Sequence, residues 1–323
     1  MIHFTTDAIA PADRFDHWRE VRGKNLFGIT IELPAEHRLA FRGSFKAHAV
    51  GNAVVSEMRA SPYRASRTKT DIAHIAADSL CIGLLTRGCT MLDTGHDRFQ
   101  VVGSGDMVIS YSDHPHKSVP GGTDEFHYQL LKVPVNNELM LGQSVSDLSA
   151  ARCKADATLS RPLEALFRTL LAEGSGIADP QGAVAHLVRL ALVARGRINP
   201  RRPEVRAALR AGLYHAAREI TARRKRQQDL TPAMVAFDLG ISVRQLYVVF
   251  ESAEQSFTHT LTRLRLEDVK QLLDSAPALS ITQIAGSCGF DSLATFYRAF
   301  KRHYGISPNA FREKNFLSSS NTC

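Results

Sequence analysis

Two arginines carry the most specific chemistry in this chain. Arg244 follows Gly240 by four residues and Arg298 follows Gly289 by nine, in stretches whose apolar residues recur every three or four positions. A guanidinium on the exposed face of such a helix can bond bidentately to O6 and N7 of guanine, which reads a base pair directly. The surrounding residues follow one grammar twice, over 230–250 and again over 279–300. In each copy a hydroxyl residue, Thr231 or Ser280, can accept from the free N–H groups that start a helix. An apolar–alanine pair follows, Val235-Ala236 or Ile284-Ala285, whose small alanine lets a second helix come close. A glycine, Gly240 or Gly289, supplies the positive φ that ends the first helix. A second cap, Ser242 or Ser292, starts the next helix, which carries Leu246 and Phe250, or Phe296 and Phe300, four apart on one face. This is the helix-turn-helix plan, in which the second helix of each pair enters the major groove of DNA.

Those buried ladders define the opposite face. Val243, Arg244, Tyr247 and Val248 are expected to be exposed on the first recognition helix, and Leu293, Ala294, Tyr297 and Arg298 on the second. Gln245 and Thr295 fall at the edge of these faces as further DNA-contact candidates. Lys301, Arg302 and His303 come late in the second helix, where phosphate contact is the expected role. The basic run Arg223-Arg224-Lys225-Arg226 is either an anchor for the DNA backbone or a solvated charge run. Between the copies, Leu261, Leu264, Leu266, Val269, Leu272 and Leu273 suit one long helix over 257–273. Such a rod would hold the two recognition helices about 34 Å apart, in successive major grooves.

The elements around this region read as a two-domain α+β chain. Residues 204–316 are expected to form an all-α DNA-binding domain. Residues 201–314 hold 18 Lys/Arg against 11 Asp/Glu, so +7 of the net +8 lies there, as a polyanion partner requires. Residues 1–157 read instead as an all-β barrel. Short β-like runs at 28–33, 53–56, 79–85, 106–111 and 126–133 alternate with turns such as Arg87-Gly88, Thr94-Gly95 and Pro120-Gly121-Gly122. Residues 158–198 form a helical hairpin broken at Gly174-Ser175-Gly176. Its stripes, Leu163, Leu166, Phe167, Leu170 and Leu171, then Val184, Leu187, Val188, Ala191 and Leu192, either cover the barrel or pair two chains. Residues 199–203, Asn-Pro-Arg-Arg-Pro, read as a linker, and 317–323 as a flexible tail.

The barrel region offers less. Asp113-His114-Pro115-His116, with His96, Glu125 and His127, is a constellation that could hold a metal, but Pro115 breaks the strand between the paired histidines. No metal, cofactor or catalytic group is expected, since Walker, G-x-S-x-G and paired-cysteine motifs are all missing. A small-molecule pocket is the better expectation for a barrel. Trp18, Arg59, Tyr63 and Arg64 could reach its mouth, although Trp18 suits the core as well. The positive charge in 59–69 hints at an anionic ligand. Five scattered cysteines, no run of about 18 apolar residues and no leader-like N-terminus predict a reduced, cytoplasmic protein with no membrane partner.

The stretch 280–312 resembles the signature of the AraC/XylS family of transcription regulators. The matching residues are Ile284-Ala285, Cys288-Gly289-Phe290, Ser292, Phe296, Arg298-Ala299-Phe300-Lys301-Arg302, Tyr304-Gly305-Ile306-Ser307-Pro308 and Phe311-Arg312, with Arg263-Leu264-Arg265-Leu266 and Leu272-Leu273 in the connector. Residues 83–111, with the Gly88 turn and Gly105-Asp106 before a strand, resemble more weakly the cupin-like effector-binding domain of many members. The first copy departs from the family: Val248 stands where Arg or Lys is frequent, and Glu254-Gln255-Ser256-Phe257 replaces Gly-x-Ser-Pro. It therefore reads bases less specifically, or reads a thymine methyl through Val248. The resemblance implies an effector-responsive activator that binds double-stranded DNA, a small-molecule effector and RNA polymerase, as a homodimer. The alternatives are an N-terminal domain that only dimerises or meets a protein, and a cupin-type metal enzyme fused to a DNA module.

Overall fold

A computed structural model describes residues 1–93, 99–122, 125–153, 156–172, 177–276 and 278–320. The chain divides into two compact units, Met1–Gly212 and Leu213–Cys323.

The described residues of the first unit form twelve strands: β1 (Ile2–Thr5), β2 (Thr30–Glu32), β3 (Gly43–Val50), β4 (Ala53–Ala60), β5 (Arg64–Arg67), β6 (Ser79–Arg87), β7 (Cys89–Asp93), β8 (Phe99–Gly103), β9 (Met107–Tyr111), β10 (His116–Pro120), β11 (Phe126–Pro134) and β12 (Ala151–Arg152). They pair antiparallel in two sheets, ordered β1-β3-β4-β11-β6-β9-β12 and β2-β5-β10-β7-β8. Each β-like run named above overlaps one of these strands, although of 28–33 only Thr30–Glu32 is strand. Alternation along β3 and β4 turns Phe45, Ala47 and Met58 to one face of the larger sheet and Val55 to the other. Between the sheets, Leu85, Leu92, Val102 and Ala150 form one small core, and Phe15, Trp18, Ile31, Phe41 and Met58 form another.

Three short helices accompany the sheets: α1 (Arg14–Trp18), α2 (Ala35–Arg38) and α3 (Lys69–His74). The chain leaves α1 in a π-helical stretch, Arg19–Phe27, closed by Gly28 at φ +57°. A loosened helix of this kind is uncommon and turns side chains out of the 3.6-residue register. It places Arg22 toward the interior.

The hairpin is α4 (Ala157–Ala172) and α5 (Pro180–Ala194). Leu163, Leu166, Phe167, Leu170, Val184, Leu187, Val188, Ala191 and Leu192 are fully buried with Leu80, Ile82, Ile109 and Leu131 of the larger sheet. Both stripes therefore cover the sheet. The expected breaks at 174–176 and 94–95 lie outside the described residues.

Residues 199–202 are turn and bend, and α6 (Pro203–Arg224) follows. The units divide between Gly212 and Leu213, within that helix. Among the described residues six further helices follow: α7 (Pro232–Leu239), α8 (Val243–Glu251), α9 (Phe257–Ser275), α10 (Ile281–Ser287), α11 (Leu293–Tyr304) and α12 (Pro308–Ser320). Helical backbone runs to Ser320, where the sequence suggested a tail from 317, and 321–323 lie outside the described residues. No single helix among the described residues is long and apolar enough to cross a membrane.

Candidate nucleic-acid interface and barrel cavity

Local hydrogen bonds define the first helix pair. Thr231 caps α7 by accepting from the Met234 N–H, and Gly240 ends it at φ +68°. Ser242 and Gln245 then form a reciprocal capping box at the start of α8. The two helices meet at 98°, within the range of helix-turn-helix pairs. The second pair repeats the device. Ser280 and Gln283 box the start of α10, Gly289 turns at φ +90°, and Ser292 caps α11 by accepting from the Thr295 N–H. Leu246, Phe250, Phe296 and Phe300 are fully buried, so the ladders sit where the spacing puts them.

The opposite faces are open. Val243, Tyr247 and Val248 are 37%, 49% and 43% exposed on α8, and Leu293 is 43% exposed on α11. Large apolar side chains on a water-facing helix are costly unless a partner covers them. Arg244, Ala294, Thr295, Arg298, Lys301, Arg302 and His303 are exposed as well. No ion pair among the described residues occupies Arg244 or Arg298, so both guanidinium groups keep their donors.

Two candidates have a different setting. Gln245 spends its Oε1 on the Ser242 N–H at 2.9 Å and the Ser242 hydroxyl at 3.1 Å, which makes it a cap first. Tyr297 is half-buried, its ring 5.4 Å from that of Phe296. The basic run also divides. Arg224 pairs with Asp238 at 2.5 Å and Lys225 with Asp268 at 2.6 Å, so these two are tethers within the unit. Arg223 and Arg226 make longer pairs, with Glu219 at 4.0 Å and Asp268 at 3.5 Å, and remain about two-thirds exposed, at 68% and 70%.

Spacing gave no sign of the role of Arg265. Its Nε donates to the Lys225 carbonyl and its Nη2 to the Gln227 carbonyl, each at 2.7 Å. Its guanidinium lies 5.8 Å from the Phe290 ring. Burial lowers its pKa from the usual arginine value. Arg265 thus joins the end of α6 to the second turn. Only its place on the inner side of α9, between Leu264 and Leu266, could have hinted at this.

In the first unit a cavity of about 550 Å³ lies between the two sheets. Met58, Leu85, Leu92, Val102 and Val108 give it apolar walls, while Thr90, Ser110, His116, Ser118 and Tyr128 supply polar groups. Tyr128 sits where β11 slips register against β6, and its hydroxyl fills the space a side chain at Gly83 would need. Of the expected mouth residues, Tyr63 lines the cavity and Trp18 is fully buried in the core. Arg59 faces outward, 3.3 Å from Glu57, and Arg64 is exposed on β5. The cavity's cation is Arg22, which sequence reasoning did not single out. It is 7% exposed, with its Nε and Nη1 buried and without hydrogen-bond partners. Burial lowers its pKa, the nearby tyrosines opposing the shift.

Pro115 separates the paired histidines: His114 lies outside β10 and His116 begins it. The half-buried His116 directs Nδ1 at the His114 carbonyl, 3.1 Å away, and desolvation lowers its pKa. His127 meets Glu125 at 2.8 Å on the more exposed rim. His96 lies outside the described residues. Among the described residues, no three His, Cys, Asp or Glu side chains converge as a metal site would require.

Comparison with known proteins agrees with this division. A helix-turn-helix domain model matches residues 235–314, and the AraC-like ligand binding domain model matches residues 62–191. The chain joins an AraC-like ligand binding domain to a helix-turn-helix domain. Among curated AraC-type relatives, it is 41% identical over 76 residues to the raffinose operon transcriptional regulatory protein RafR of Pediococcus pentosaceus, covering 23% of this chain and 27% of that one. It is 31% identical over 93 residues to the HTH-type transcriptional regulator GadX of Escherichia coli strain K12, covering 29% of this chain and 34% of that one. The match thus spans about a third or less of the length of these relatives. The crystal structure of the AraC-like transcriptional activator CuxR is similar at 17% identity and a TM-score of 0.48, over 82% of this chain and 94% of that one.

Proposed function

We propose that this chain is an effector-responsive AraC-family transcription regulator that reads specific sites on double-stranded DNA. The observation that carries the reading is the pair of recognition helices. Each is set by the same caps and glycine turn, and each presents unpaired cationic and uncovered apolar side chains on one face. Arg244 and Arg298 read base edges, Val243, Val248 and Leu293 meet thymine methyls, and Lys301 and Arg302 hold phosphates. The barrel cavity supports a small-molecule effector over a domain that serves only to pair chains, because 550 Å³ falls within the range of ligand pockets. The regulator acts in the cytoplasm as a homodimer and as an activator, and it meets RNA polymerase. An effector would shift the population toward the arrangement that engages DNA.

The test is enrichment of genomic DNA fragments by the full chain, with Arg298→Ala as control and salt varied. Specific fragments should be enriched, and the substitution should lose about 1–3 kcal/mol of discrimination. Affinity should fall steeply as salt rises. Equal binding to all fragments would sink the reading.

A further inference from the structure

Two arginines among the described residues of the first unit are buried, and the fold treats them differently. Arg67 is 4% exposed at its side chain and fully engaged. Its donors reach the carbonyls of Phe27, Gly28, Ile75 and Ser112 and the carboxylate of Asp113, at 2.6–3.0 Å. Arg22 has no such set. Its guanidinium lies over the rings of Phe27, Tyr63 and Trp18 at 4.8, 5.7 and 5.9 Å. Ring faces hold the charge in place and leave the N–H groups unused. A buried cation with idle donors is costly, and the chain that surrounds Arg67 so completely leaves Arg22 open to the cavity.

Among the described residues, Arg22 is also the only Asp, Glu, Lys or Arg lining that cavity. The neutralising charge must then come from outside the chain. One guanidinium balances one negative charge, whereas a dianion such as a phosphate monoester would bury an excess. A planar carboxylate matches the fork of a guanidinium. The walls of Met58, Leu85, Leu92, Val102 and Val108 ask for an apolar body behind it.

We propose that the barrel cavity takes a small organic monocarboxylate with an apolar body, its carboxylate bound by Arg22. The inference rests on the reading of the barrel as the sensing domain. It goes further by naming the ligand's chemical class and its binding residue. Thr90 and Ser118, their hydroxyls 2.7 Å apart on facing strands, offer a second polar contact.

The chain contains a single tryptophan, Trp18, and Arg22 lies against it, so binding has its own fluorescent reporter. The full chain is titrated with benzoate and octanoate, and in parallel with benzamide and octanamide, reading Trp18 emission and melting temperature. The acids should bind about ten- to a hundred-fold more tightly than their amides. In Arg22→Gln that ratio should fall to about one, and Arg22→Lys should restore part of it. The proposal is overturned if no acid binds, if acid and amide bind alike, or if a folded Arg22→Gln keeps the preference. Should Arg22→Gln fail to fold, the acid–amide ratio in the natural chain decides alone. DNA affinity measured in the same samples separates this proposal from the one beneath it. Acids that bind tightly through Arg22 without changing DNA affinity support the carboxylate site and sink the sensing reading. Amides that bind like the acids and change DNA affinity leave sensing intact and sink the carboxylate site.

Discussion

The two helix-turn-helix units share their caps and differ in how their turns are held. At Gly240 an added Cβ would meet nothing within 4 Å. At Gly289 it would lie 2.5 Å from the Lys225 carbonyl oxygen, 3.0 Å from Arg265 Nε and 3.1 Å from the Arg226 carbonyl carbon. The first glycine meets a demand of backbone conformation, and the second meets that and a close approach as well. The faces differ in kind too. On α8 the exposed residues are chiefly apolar around the single cation Arg244, while α11 presents Arg298, Lys301 and Arg302. One local grammar thus yields an open turn beside a more apolar face and a clamped turn beside a more cationic one.

That contrast can be broken most forcefully at the turns. Gly289→Ala should cost about 3 kcal/mol or more, combining left-handed strain with the clash against Lys225 and Arg226, and Gly240→Ala about 1 kcal/mol. Urea unfolding of the full chain would measure both, and equal losses would show that the second turn is not clamped. Arg265→Met comes next. It keeps the bulk but leaves the Lys225 and Gln227 carbonyls without their donor, at a cost of about 2–3 kcal/mol in the same assay.

The readers should separate by salt. Arg298→Ala should lose about 1–3 kcal/mol of discrimination at one position of the site, and Lys301→Ala should weaken all sites alike and lower the salt slope by about one. Val248→Ala should change sequence preference at near-constant salt slope. A fall in slope for Val248→Ala would show that the apolar reader is not apolar in effect. The caps should give the smallest and most symmetrical effect. Ser242→Ala and Ser280→Ala should each cost about 1 kcal/mol of stability, because each removes the same capping interaction.

The helix-turn-helix frame was legible because its determinants are local. Caps act over three residues, ladders over four, and a glycine within its own φ, so Thr231, Ser242, Gly240, Ser280, Ser292 and Gly289 can be read from their neighbours. The strands at 79–85 and 126–133 were legible for the same reason. Arg22 was not. Its setting depends on a π-helical stretch that breaks the 3.6-residue register and on Tyr63 and Tyr128, far along the chain. The charge in 59–69 pointed toward an anion, but the residues there face outward at Arg59 and Arg64, while Arg67 is spent on Asp113. Gln245 and Lys225 hide their partners in a similar way. Each looks like a free polar side chain until its partner, Ser242 or Asp268, is seen in space.

The 19-residue α9 decides which genetic changes the DNA-binding unit can absorb. Its Leu261, Leu264, Leu266, Val269 and Leu273 are buried, so it is held along its length. A helix advances about 1.5 Å and turns about 100° with each residue. One inserted or deleted codon would therefore swing one reader about a quarter-turn around the other, beyond repair by any base change in the target. Substitutions on the exposed faces only retune the sequence that is read. The unit is open to drift by replacement and closed to drift in length, and its targets can change their letters more easily than their spacing.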